Sequence, residues 1–102
     1  MIKNFRTYDL AVAFYQEIKT LNLPSHLRCQ LDRAASSIAL NLGEGHGRSS
    51  IKEQRHFFQI AYGSLKECEC ILMLANSDSA SSKADILGAH IYRLIKCARL
   101  NR

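Results

Sequence analysis

The residues best suited to chemistry lie between Asn41 and Arg48, where the chain reads Asn-Leu-Gly-Glu-Gly-His-Gly-Arg. Gly43, Gly45 and Gly47 alternate with Glu44, His46 and Arg48, and Lys52 and Arg55 follow. Glycines of this density can expose backbone amides to an anion, and nearby basic side chains can add charge-assisted contacts to a phosphate. The spacing is not that of a nucleotide-binding P-loop, because no Gly-Lys-Ser/Thr follows, nor of a dinucleotide fingerprint, because no strand precedes it. Two readings are open. In one, the glycines end a helix, one of them takes a positive φ, and Glu44 neutralises Arg48 or accepts amides of the next helix. In the other, the amides with Arg48, Lys52 and Arg55 contact phosphate or RNA. Asn41 is placed to fix helix register, to orient a subunit interface or to cap the helix end.

A second basic group closes the chain. Between Ile86 and Arg102 stand Arg93, Lys96, Arg99 and Arg102, with no acidic residue. Such a helix end either tracks a phosphate backbone or is simply solvated. Tyr92 is its one aromatic, which gives base stacking little support. The net charge of +5 is too small to argue for nucleic acid without this clustering.

Other chemistry finds no constellation. Cys68-Glu69-Cys70 puts two thiols about 200° apart on a helix, unsuited to one zinc ion. His26, His46, His56 and His90 make no i, i+4 pair. Ser64 lacks a nucleophile elbow, and no paired carboxylates recur as a di-iron bundle requires. The expectation is a non-enzymatic protein without metal or cofactor. Cys29, Cys68, Cys70 and Cys97 read as reduced, buried thiols of a cytoplasmic protein, since no signal peptide or membrane span is visible.

The elements that must position these residues are helical. Pro24 is the single proline, and alanine and leucine are frequent. A first helix is expected over about 7–21, with Leu10, Ala11, Phe14, Ile18 and Leu21 on one face, Thr7 as its cap and Phe5 stapled to its first turn. A second runs from Ser25 to about Leu42, where the glycines end it; its centre is Ala34-Ala35-Ser36-Ser37. Ser50-Ile51-Lys52-Glu53 is a capping box that starts a third, reaching about Asn76. Gly63-Ser64 lies mid-helix and is expected to meet the small patch of the second helix. A serine-rich turn leads to a fourth helix from about Ser82 toward Leu100. With short loops and no linker, residues 1–102 form one all-α domain, an antiparallel up-down-up-down four-helix bundle.

Several segments together resemble a known family. Gln30 to Ile38, then Asn41-Leu42-Gly43-Glu44-Gly45 and Arg48, resemble the signature of the four-helix bundles encoded by intervening sequences of bacterial 23S ribosomal RNA genes. Phe5 to Ala13 resembles that family's opening, and Phe58 to Glu67 its third-helix signature. Ala39 stands where many members carry proline, and Gly43 where many carry alanine. The resemblance implies a four-helix bundle, often a ring-like homopentamer; no membrane partner is expected, since no window approaches about 18 apolar residues. A related branch comprises accessory proteins of diversity-generating retroelements, which bind reverse transcriptase and nucleic acid. It therefore raises RNA, a nucleic-acid-handling protein and further copies of the chain as partners. Asn41, Gly43, Glu44, Gly45 and Arg48 are the motif and interface candidates. Arg48, Lys52, Arg55, Arg93, Lys96 and Arg99 are the candidate nucleic-acid contacts.

Overall fold

A computed structural model describes residues 5–98. Arg99, Leu100 and Arg102 lie outside the described residues, but the fourth helix already ends at Lys96, with Cys97 capping it, short of the expected run toward Leu100. Within them the order is α1 (Arg6–Lys19), α2 (Ser25–His46), α3 (Ile51–Leu74) and α4 (Ser81–Lys96). Each helix packs against the next, and α1 closes on α4, giving an antiparallel bundle of 43 × 21 × 20 Å. The α2–α3 pair is the longest interface and forms the spine of the molecule.

The buried positions explain why these segments are helices. On α3, Gln54, Phe58, Ala61, Leu65, Cys68 and Leu72 recur at alternating four- and three-residue steps. Leu27, Leu31, Ala34, Ile38, Leu42 and Gly45 follow at steps of four or three on α2. Phe14, Ile18, Leu31, Ile38, Leu42, Leu65, Leu87 and Ile91 fill the centre, fully buried. Small side chains let the α2 and α3 backbones approach. Ser37 Oγ lies 2.9 Å from Ser64 Oγ, and Asn41 Nδ2 donates to Ser37 Oγ at 3.0 Å and to the Ser37 carbonyl at 2.8 Å. Asn41 therefore joins a polar link across the spine. The partner of the α2 patch is Ser64 rather than Gly63, which is exposed and would meet nothing within 4 Å if it carried a Cβ.

The helix ends follow different local devices from those expected, with one exception. Ser50 caps α3 as its motif requires, accepting from the Glu53 amide at 3.1 Å. Thr7 does not cap α1. It lies buried inside the helix, and Phe5 takes the capping position without a side-chain bond. Arg28 closes the α1–α2 connection by donating to the carbonyls of Ile18, at 3.0 Å, and Leu21, while pairing with Asp32 at 2.9 Å. These bonds add to the Leu21 amide that already meets the Ile18 carbonyl, and tie the end of α1 to the start of α2. No described glycine has a positive φ; the left-handed residue is Asn76, at φ 55°. Its amide and that of Ser77 reach back to the carbonyls of Met73 and Leu72, at 3.0 and 2.9 Å, and terminate α3.

Candidate nucleic-acid interface

One end of the bundle gathers the N-termini of α1 and α3 and the C-termini of α2 and α4. Phe5 marks it. Its ring stacks on Tyr8 of its own first turn at 6.4 Å, as expected, and also on His46 at 4.6 Å, and stands 6.3 Å from Phe58, so it joins α1, α2 and α3.

The glycine stretch at this end is mostly helix. α2 continues through Gly43 and Gly45 to His46, and Gly47 caps it at φ −85°. The Gly47 amide donates to the carbonyls of Gly43 and Glu44, at 3.3 and 3.2 Å, and the Arg48 amide to Gly45 at 3.1 Å. Those amides are consumed by the helix end and do not form an anion cradle. The expected positive-φ glycine is absent here because αR geometry already satisfies the terminal acceptors. Gly45 answers a different need, close approach to α3. A Cβ there would lie 2.7 Å from Phe58 Cε1 and 3.1 Å from Phe57 Cβ.

Arg48 is largely committed to this turn. Its guanidinium pairs with Glu44 and lies 4.8 Å above the Phe57 ring, and its carbonyl accepts from Gln54 Nε2 at 3.3 Å. Its Nε is buried without a hydrogen-bond partner. Glu44 and Arg48 thus face each other.

The remaining basic residues are more available. Lys52 and Arg55 are exposed near the start of α3, where a cation gains nothing from the helix dipole. Arg93 and Lys96 are exposed in the last turn of α4, where the dipole favours them. Arg55 connects the groups. Its Nε donates to the Ile95 carbonyl at 2.9 Å, forty residues away in sequence, and so draws the end of α4 onto the start of α3.

Tyr92 is not alone, contrary to its isolated position in the sequence. Tyr62 of α3 stands beside it, ring centroids 6.3 Å apart. Lys96 Nζ lies 5.4 Å from the Tyr92 centroid and Lys66 Nζ 5.1 Å from that of Tyr62. The recurring Tyr-x-x-x-Lys spacing, at 62–66 and 92–96, was the available signal. A hydrogen bond with Glu69 holds the Lys66 ammonium above its ordinary 10.5.

The other end holds an acidic cleft. Glu69, Asp78 and Asp85, with Leu72, Met73 and Ala84, line a cleft of about 260 Å³ between α3 and α4. Of the cysteines, Cys68 alone is buried; Cys29, Cys70 and Cys97 are exposed, because their positions fall off the core stripes. Burial, helped by Glu67 and Glu69, pushes the Cys68 thiol up to about 12. No group of three or more metal-ligating side chains gathers among the described residues, and no described helix is long and apolar enough to cross a membrane.

Fold and site define a small antiparallel four-helix bundle with one basic end. Residues 3–97 match the family described as 23S rRNA-intervening sequence protein, and the chain belongs to that family. No curated protein and no solved structure gives a significant match.

Proposed function

We propose that this chain is a non-enzymatic, nucleic-acid-associated bundle that acts as a homo-oligomer and binds RNA through its basic end. The observation that carries the reading is the Arg55–Ile95 contact, which brings Lys52 and Arg55 of α3 together with Arg93 and Lys96 of α4. Four exposed cations on one end form a phosphate-binding patch that neither helix supplies alone. The family description, which names a ribosomal RNA gene insertion, supports an RNA context. Self-association is supported by Leu40, an apolar side chain left 70% exposed on α2. Copies arranged with their basic ends together would multiply the patch.

The test is binding of structured RNA by the whole chain between about 50 and 200 mM salt, with light scattering for the oligomer. Four phosphate contacts predict a log–log salt slope of about −3. Absence of binding at low salt, or binding indifferent to salt, rejects the reading.

A second reading, an accessory subunit that binds a protein such as a reverse transcriptase, is favoured by Met73 and Leu74. They are 80% and 75% exposed at the opposite end, where adaptable apolar side chains suit a protein contact. Arg93→Glu with Lys96→Glu abolishes RNA binding under the first reading and leaves protein capture intact under the second.

A further inference from the structure

Tyr62 and Tyr92 are far apart in sequence and adjacent in the fold. Their rings are inclined by 52° across the α3–α4 seam, and each lies beneath a lysine from the next turn of its own helix. Tyr62 leans on the core while Tyr92 stands outside it. Tyr92 is 51% exposed, and Tyr62 is half-buried. The surface beside Tyr62 is open, since Gly63 has no neighbour within 4 Å of where a Cβ would stand. An exposed ring such as Tyr92 adds little to a core, but its face is what an unpaired base stacks on.

The positive charge lies toward one side of the pair. Arg55, Tyr62 and Lys66 recur at steps of seven and four along one stripe of α3, a run of about 16 Å at the helical rise. Arg93 and Lys96 flank Tyr92 on α4, and Arg55 fastens that helix end through Ile95. Beyond Lys66 the sign reverses. Glu69 pairs with Lys66 at 3.2 Å, and Asp78 and Asp85 follow in the cleft. A polyanion is attracted to the half of the groove that holds the tyrosines and repelled from the other half.

We infer that the basic half of the α3–α4 groove binds unpaired nucleotides, stacking bases on Tyr92 and Tyr62 while Lys96, Arg93 and Arg55 contact the phosphates. The inference rests on the nucleic-acid reading above and narrows it to single strands. A duplex keeps its base faces stacked inside and offers this surface phosphates only. The sequence of the strand matters little, because every base has a face to stack.

The experiment compares a labelled oligouridylate with a duplex RNA of equal length on the full chain, by fluorescence anisotropy at low salt. Tyrosine emission is a second readout, since the chain has no tryptophan. The parent binds the oligouridylate more tightly than the duplex, with quenched tyrosine emission. Tyr92→Ala weakens oligouridylate binding by about 5- to 150-fold and leaves duplex binding nearly unchanged, and Tyr92→Phe restores it. Circular dichroism confirms that each variant keeps its helices. Unchanged oligouridylate affinity in Tyr92→Ala, with both RNAs weakened by Arg93→Gln and Lys96→Gln, overturns the stacking inference and leaves the nucleic-acid reading standing. No binding of either RNA at low salt overturns both.

Discussion

Gly45 of α2 lies so close to the Phe58 ring of α3 that a Cβ on the glycine would come within 2.7 Å of Cε1. Phe58 is buried against Phe5, and the Phe57 Cβ stands on the other side at 3.1 Å from the same point, so the ring has little room to give. Alanine at 45 forces the helices apart. The overpacking cost of about 1–3 kcal/mol exceeds the roughly 1 kcal/mol that alanine returns in helix propensity. Gly63, equally helical but facing open space, carries the opposite prediction: alanine there stabilises by about 0.5–1 kcal/mol. Urea midpoints of Gly45→Ala and Gly63→Ala should move in opposite directions, and a common direction would contradict the packing account.

The hydroxyls of Ser37 and Ser64 couple the same two helices through the bundle middle. Ser64→Ala removes one partner and should cost about 1 kcal/mol, since the half-buried Ser37 keeps its bond with Asn41. A double-mutant cycle with Ser37→Ala should return a coupling of about 0.5 kcal/mol or more. Strict additivity would show that the contact does not hold the register.

Ser50 is the one helix cap foreseen and found. Its Oγ is the acceptor for the Glu53 amide. Ser50→Ala should lower unfolding free energy by about 1 kcal/mol, while Ser50→Asp should retain most of it. Equal losses in the two variants would point away from capping.

Cys68 should be distinguishable from the other thiols by both reactivity and pH. Its folded value is about 12 against an ordinary 9.0, so the native thiol stays protonated while the unfolded one ionises. The contribution is complete below pH 9 and declines as pH rises toward 12, at about 1.4 kcal/mol per unit, because the unfolded state binds fewer protons there. Cys68→Ala should flatten that part of the stability profile. In the folded chain a maleimide should label Cys29, Cys70 and Cys97 rapidly and Cys68 only on unfolding. Early labelling of Cys68 would refute its burial.

Much of the architecture was readable along the chain because it depends on short-range rules. The alternating apolar steps of α3 and the Ser50 box each involve residues within a turn or two, and each stands where the pattern puts it. Composition and spacing were therefore enough for an all-α antiparallel bundle, and the motif from Gln30 to Arg48 for its family.

Most of what differed was decided by a partner distant in sequence. Glycines at 43, 45 and 47 look like a turn, yet α2 runs on to His46, because Phe58 requires an empty position at 45 and the helix end satisfies its own amides. The left-handed stop belongs to Asn76, a residue with no glycine's signal. Phe5 adds partners on α2 and α3 to the Tyr8 ring of its own first turn, and three of the four cysteines fell outside the core stripes. The candidate site follows the same division. Sequence alone determined that basic residues cluster at the start of the third helix and the end of the fourth. Only the tertiary structure decided that these are one end, joined through Arg55 and Ile95, and that Tyr92 has Tyr62 beside it. The physical reason is that antiparallel packing aligns positions thirty to forty residues apart, and no local periodicity encodes which side chains then meet.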